Sequence, residues 1–353
     1  MKETKHLNYF KVENFKSFDS LELNDIGQFN LISGDNNVGK TSLLEALFFD
    51  SDLTNLLDNL FGAFRIRNDL GKTSEFNYLD FYIGNKSNRE IKFYFKSNLN
   101  SSDKIYSLKS CQVESLSDKE REKLKTHFVH AHEHKFVASL YENSKLIDVQ
   151  YQFHNNQKGA DFFRFIPSKT YYSSKLVNYF NYIYKSKIEY ETFVRELELF
   201  IPNIEDIIVL NTSVPGITSL ELRIKNLDSS IPLSMFGEGS VKLFRILVQL
   251  KMAKDRYLLI DEIGSGVHYS RLKQFWRIIL ESAKANNVQL FATTHSLECM
   301  KYFKEALEEV EMQKGARYFV LEKVKDENIK AFTYNFEQFA SNLELGNEIR
   351  GYN

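Results

Sequence analysis

Apolar and polar residues alternate over Tyr9–Val12 and again over Leu21–Leu23, which predicts two half-buried strands. Phe29-Asn30-Leu31-Ile32-Ser33 predicts a third strand, and the turn-forming Gly34-Asp35-Asn36-Asn37 closes it. Beyond that turn Leu43, Leu44, Leu47 and Phe48 recur at helical spacing, so a helix is expected over 40–49. The same grammar returns downstream. A strongly apolar helix is expected over 241–252, and Tyr257-Leu258-Leu259-Ile260 is a compact run of the kind found in buried parallel strands. Leu272, Phe275, Trp276 and Ile279 then mark one helix face, followed by a strand over 288–292. Between the two halves the pattern changes. Ile91–Phe95 alternates, Phe136–Tyr141 and Leu146–Phe153 flank Glu142-Asn143-Ser144-Lys145 as a hairpin, and 171–200 reads as helical.

This order predicts an α/β protein with a mixed, mainly parallel sheet and flanking helices, interrupted by an antiparallel β-lobe and a short helical arm. The expected division is residues 1–50, an insert over 51–200, and 201–353. No sustained heptads occur in the insert, which argues against a long coiled-coil arm. A partner or a sensed ligand is expected to bind there.

The turn after the third strand carries the first chemistry. Residues 34–41 read GDNNVGKT, that is Gly34, Asp35, Asn36, Asn37, Val38, Gly39, Lys40 and Thr41, with Ser42 next on the helix. This fits G-x-x-x-x-G-K-[ST] between a strand and a helix: backbone N–H groups converge on phosphates, Lys40 reaches the β and γ oxygens, and the Thr41 hydroxyl ligates Mg²⁺. Far downstream the buried run ends in Asp261-Glu262, two carboxylates delivered where ligands of open α/β sheets bind. Asp261 is then expected on the metal and Glu262 on the attacking water. The strand over 288–292 ends in Thr293-Thr294-His295-Ser296, from which His295 can reach the γ-phosphate. Between these lies Leu233-Ser234-Met235-Phe236-Gly237-Glu238-Gly239-Ser240 at a helix N-terminus, a further anion site. One copy's phosphates are already held by its own loop, so this turn makes most sense against ATP held by another copy.

Composition narrows the classes. The 353 residues carry 46 Lys+Arg against 47 Asp+Glu, a net charge of −1, which excludes a globally basic nucleic-acid-binding surface. At 43% hydrophobic and 26% charged the chain is of ordinary globular make-up. Two cysteines, Cys111 and Cys299, build no disulfide framework and fit a reducing compartment. With no targeting segment and no long apolar run, a cytoplasmic protein without membrane contact is expected. His127, His130, His132 and His134 crowd together, but without cysteines or a carboxylate pair nearby a wet edge strand is expected over a zinc site.

Taken in order, the phosphate loop, LSMFGEGS, YLLIDE, the Gly264-Ser265-Gly266 turn with His268, and TTHS resemble the ABC-type ATPases of the SMC, RecF and OLD group. More narrowly, PLSMFGEG, LLIDEIGSGVHYS and VQLFATTHS are similar to stand-alone AAA-family ATPases related to OLD proteins, which often occur in anti-phage defence. The resemblance implies a P-loop ABC-type ATPase head with ATP and Mg²⁺ as cofactors. It implies that Lys40 and Thr41 bind Mg-ATP, Asp261 binds metal, Glu262 is the catalytic base and His295 contacts the γ-phosphate. It further implies that Ser234 and Gly237-Glu238-Gly239 act across a homodimer or higher homo-oligomer. Met235 and Phe236 separate Ser234 from Gly237, which leaves open whether Ser234 or Ser240 touches the partner's phosphate. OLD nucleases continue into a TOPRIM domain, whereas little chain follows His295 here. The expected output is therefore a signal to a separately encoded effector, a nuclease or toxin. The alternative is a RecF-like repair ATPase that clamps DNA itself. A small-molecule kinase or GTPase would not explain LSMFGEGS followed by IDE and TTHS.

Overall fold

The computed structural model describes residues 6–49, 90–97, 104–111, 117–124, 135–152, 164–168, 174–211, 218–324 and 328–345. Two six-stranded sheets dominate. The first is antiparallel and runs β2 (Phe18–Asn24), β1 (Leu7–Phe15), β4 (Glu90–Ser97), β5 (Lys104–Cys111), β6 (Lys135–Glu142), β7 (Lys145–Gln152). The second runs β15 (Ile329–Tyr334), β14 (Ala316–Lys323), β3 (Phe29–Gly34), β13 (Gln289–Thr293), β12 (Tyr257–Ile260), β8 (Phe165–Ile166). Within it every pairing is parallel except that of the edge strand β15. A small antiparallel sheet joins β11 (Ile231–Pro232), β10 (Thr218–Ile224) and β9 (Ile204–Asn211).

The parallel strands are buried on both faces, and their two-residue period divides them between two cores. Ile32, Leu259 and Phe291 face a core shared with the first sheet and with α1 (Lys40–Phe48). Their neighbours Leu31, Leu258, Ile260, Leu290 and Ala292 face the other core. That second core is filled by α5 (Glu238–Met252), α6 (Leu272–Ala285) and α7 (Leu297–Glu309). The arrangement is the mixed α/β architecture expected from the sequence.

Several expectations sharpen. The hairpin forms between β6 and β7, but its loop is only Asn143-Ser144, with φ of 48° and 63°. Both central residues are left-handed, the geometry that matches strand twist in a two-residue hairpin. The helical stretch expected over 171–200 is two helices, α3 (Ser174–Tyr184) and α4 (Lys187–Glu198). Ser186 breaks them, its hydroxyl accepting from the Glu189 N–H as an N-cap. This hairpin folds back on α5: the Phe180 and Phe193 rings lie 5.5 and 5.0 Å from that of Phe244. The strands of the insert, in turn, continue the sheet begun by β1 and β2. The four clustered histidines lie outside the described residues. Among the described residues no helix is long and apolar enough to cross a membrane.

Candidate active site

In the parallel sheet β13 lies between β3 and β12, so three adjacent strands end side by side. The phosphate loop follows β3, Asp261-Glu262 follows β12, and Thr293 ends β13 with Thr294 and His295 after it. The sheet thus brings together segments separated by more than 200 residues, at the edge where ligands of such folds bind.

Glycine is required by the loop at two points. Gly34 has φ +146° and Gly39 φ +105°, with Asn37 also left-handed at 64°. A Cβ on Gly39 would lie 2.8 Å from the Phe18 ring, because the turn between β1 and β2 closes over the loop. The same turn places Lys16 in a buried ion pair with Glu45 of α1. Lys40 is buried, and its ammonium donates to the Gly34 and Asp35 carbonyls at 2.7 and 2.9 Å. Burial pulls its pKa down, while Glu262, Asp261 and Asp35 pull the other way.

Opposite the loop, the Thr41 hydroxyl lies 3.2 and 3.0 Å from the two Asp261 carboxylate oxygens. Thr293 is the pivot between the carboxylates: its hydroxyl donates to Asp261 Oδ1 at 2.7 Å and accepts the Glu262 N–H at 2.8 Å. Burial pushes the Asp261 carboxyl above its ordinary value, with the two threonine hydroxyls and Lys242 opposing. A buried carboxylate converging with a hydroxyl is a hard-oxygen donor set, and it fits a Mg²⁺ whose remaining ligands are phosphate oxygens and water. Among the described residues no cluster of three histidine, cysteine or acidic groups offers a competing metal site.

Glu262 has φ +48°, a left-handed backbone that costs a non-glycine residue about 1–3 kcal/mol and is tolerated where the surroundings hold it. His295 Nδ1 lies 2.7 Å from Glu262 Oε2, so the two residues singled out for catalysis form one pair.

The LSMFGEGS segment leads into α5 instead of following a strand of this sheet. Leu233–Phe236 form a 3-10 turn, Gly237 at φ +83° caps α5, and a Cβ on Gly237 would meet nothing within 4 Å. Ser234, Met235, Gly237 and Glu238 are exposed, whereas Ser240 is buried. The exposed serine of the pair is therefore Ser234. Glu238 packs on Gly266, whose added Cβ would come within 2.6 Å of the glutamate side chain. The segment following Asp261-Glu262 is thereby in contact with the start of α5.

Phe18, Thr293 and Lys242 escape sequence reading. Thr293 alone carries a local signal, as the last residue of a core strand ahead of the histidine.

A model of the AAA domain family, described as a putative AbiEii toxin of a type IV toxin–antitoxin system, matches residues 29–301. The chain belongs to this family. The AAA-domain ATPase is also 24% identical over 384 residues to an ATP/GTP phosphatase of Helicobacter pylori, covering 95% of this chain and 98% of the relative. An uncharacterized protein of Methanocaldococcus jannaschii is 32% identical over 116 residues, covering 33% of this chain and 99% of that protein. Among solved structures, an SMC head bound to the C-winged helix domain of ScpA superposes with a TM-score of 0.51 at 12% identity. That match covers 95% of this chain and 99% of the SMC chain. An SMC head with an extended coiled coil from Pyrococcus furiosus, bound to the C-terminal domain of ScpA, gives the same score and identity over 96% and 99%. The AAA-domain ATPase thus has the fold of an SMC ATPase head.

Proposed function

We propose that this ATPase holds Mg-ATP on residues 34–42, closes as a homodimer around two triphosphates, hydrolyses them, and passes the open or closed state to a separately encoded effector. The observation that carries the reading is the meeting of Thr41, Asp261, Glu262 and His295 at the ends of three adjacent parallel strands beside the phosphate loop. Mg²⁺, held by Thr41 and Asp261, would neutralise charge developing on the phosphates. The loop's backbone N–H groups and Lys40 grip and orient the triphosphate. Glu262 accepts a proton from a water molecule as its oxygen attacks the γ-phosphorus. The bond from that phosphorus to the β–γ bridging oxygen then breaks, releasing ADP and inorganic phosphate. His295, paired with Glu262, orients that carboxylate and faces the γ-phosphate.

The dimer reading rests on the exposed turn. Gly237 and Glu238 are exposed at the N-terminus of a 15-residue helix, an anion-seeking end, and open space lies beside the Gly237 Cα. The family's description as a putative toxin of a type IV toxin–antitoxin system supports a toxic output, and the separately encoded effector acting in anti-phage defence, a nuclease or a toxin, is part of the same proposal. Light scattering with Mg²⁺ tests the closure. With a non-hydrolysable ATP analogue the mass should double, with ADP it should remain that of one chain, and a single-chain mass in both states contradicts the proposal.

A further inference from the structure

Lys242 is a fully buried lysine on α5, 0% exposed, five residues beyond Gly237. An ammonium in such a place is costly unless all three of its hydrogens find acceptors. They do, and the acceptors share a location: the Glu262 carbonyl at 2.5 Å, the Ser265 carbonyl at 3.3 Å and the Ser265 hydroxyl at 3.1 Å. The ammonium therefore fastens the backbone that follows β12. Burial lowers its pKa to about 8, against the pull of Cys299, Glu238, Glu262 and Asp261, so the charged form still prevails at pH 7. Glu262 is consequently gripped on both sides of its left-handed backbone, at its N–H by Thr293 and at its carbonyl by Lys242.

We propose that Lys242 is a positioning residue that couples the docking state of the Gly237 turn to the aim of Glu262 in the same chain. The coupling is mechanical. α5 begins at the exposed turn, and its first residues already press on Gly266 through Glu238 and Gly239. A shift of that helix when the turn meets the partner's triphosphate moves the Lys242 ammonium, and with it the Glu262 carbonyl. Each copy would then hydrolyse its own ATP only after its turn has engaged the other copy's nucleotide. The inference rests on Glu262 being the base and on the composite dimer.

Lys242→Met keeps the stem's volume and removes the donors, and replacing buried charge by apolar groups is often tolerated. Lys242→Gln keeps two N–H donors. In the Met variant kcat should fall roughly tenfold or more, the scale of a misplaced catalytic group, with affinity for a fluorescent ATP analogue within about twofold of wild type. ATP-dependent dimerisation should persist, and the Gln variant should recover part of the rate. A kcat within about twofold of wild type in a folded Met variant overturns the inference. The same result in the Gln variant does so should the Met variant not fold. A loss that follows nucleotide affinity instead of kcat also overturns it. Glu262→Gln measured alongside separates the two readings: if that variant hydrolyses ATP normally, the assigned base is wrong.

Discussion

Glu262→Gln should bind ATP as tightly as the wild type and hydrolyse it roughly 100-fold to 10,000-fold more slowly, the range a positioned general base supplies. The substitution is close to isosteric, and every group that grips the triphosphate lies elsewhere. Lys40 and Thr41 sit on the loop and the start of α1, and Asp261 keeps its two threonine hydroxyls. The left-handed backbone at position 262 is held through its own N–H and carbonyl, neither of which the change touches. What disappears is the capacity to take a proton from water. Single-turnover hydrolysis beside equilibrium nucleotide binding reads the two effects separately. Normal turnover would remove Glu262 from the mechanism.

Lys40→Ala should lose nucleotide binding by a factor on the order of 100, since a charge-assisted hydrogen bond to phosphate is worth about 1.5–3 kcal/mol and its loss leaves the triphosphate's charge less compensated. The ammonium now rests on the Gly34 and Asp35 carbonyls, already at the loop the phosphates would occupy. Retention of labelled ATP shows the loss directly, and a thermal melt shows that the chain still folds. Undiminished retention would overturn the phosphate-loop assignment.

Much of the site is legible in the chain because its chemistry is local. Gly34 to Thr41 declare themselves as a strand, a glycine turn and a helix start, and the run 257–260 announces both its burial and the acids that end it. Thr293 and Lys242 acquire their roles only by juxtaposition. A lysine on an apolar helix reads as a solvated residue until the fold buries it against the backbone after Glu262. The same holds for Phe18, whose ring covers Gly39 only because the β1–β2 turn folds onto the loop. At the level of fold, the alternation over 91–95 specifies a strand but not its partner. That β4 pairs with β1, placing the inserted strands in the N-terminal sheet, depends on long-range register that no local pattern carries. The break at Ser186 is different, since its N-capping hydroxyl is a local signal that the apolar periodicity masks.

The most direct test of the account mixes two crippled chains. Lys40→Ala should leave its own loop empty at nucleotide concentrations that just saturate the wild type, and Ser234→Glu sets a bulky negative charge on the exposed turn that should meet the partner's phosphates. Each alone should be inactive while folded. If the sites are composite, a one-to-one mixture with a non-hydrolysable ATP analogue assembles dimers in which the loop of one chain and the turn of the other are both intact, and light scattering should show a doubled mass that neither chain reaches alone. A mixture that keeps the single-chain mass of its two components, or a Ser234→Glu chain that hydrolyses ATP normally alone, contradicts a site shared between two copies.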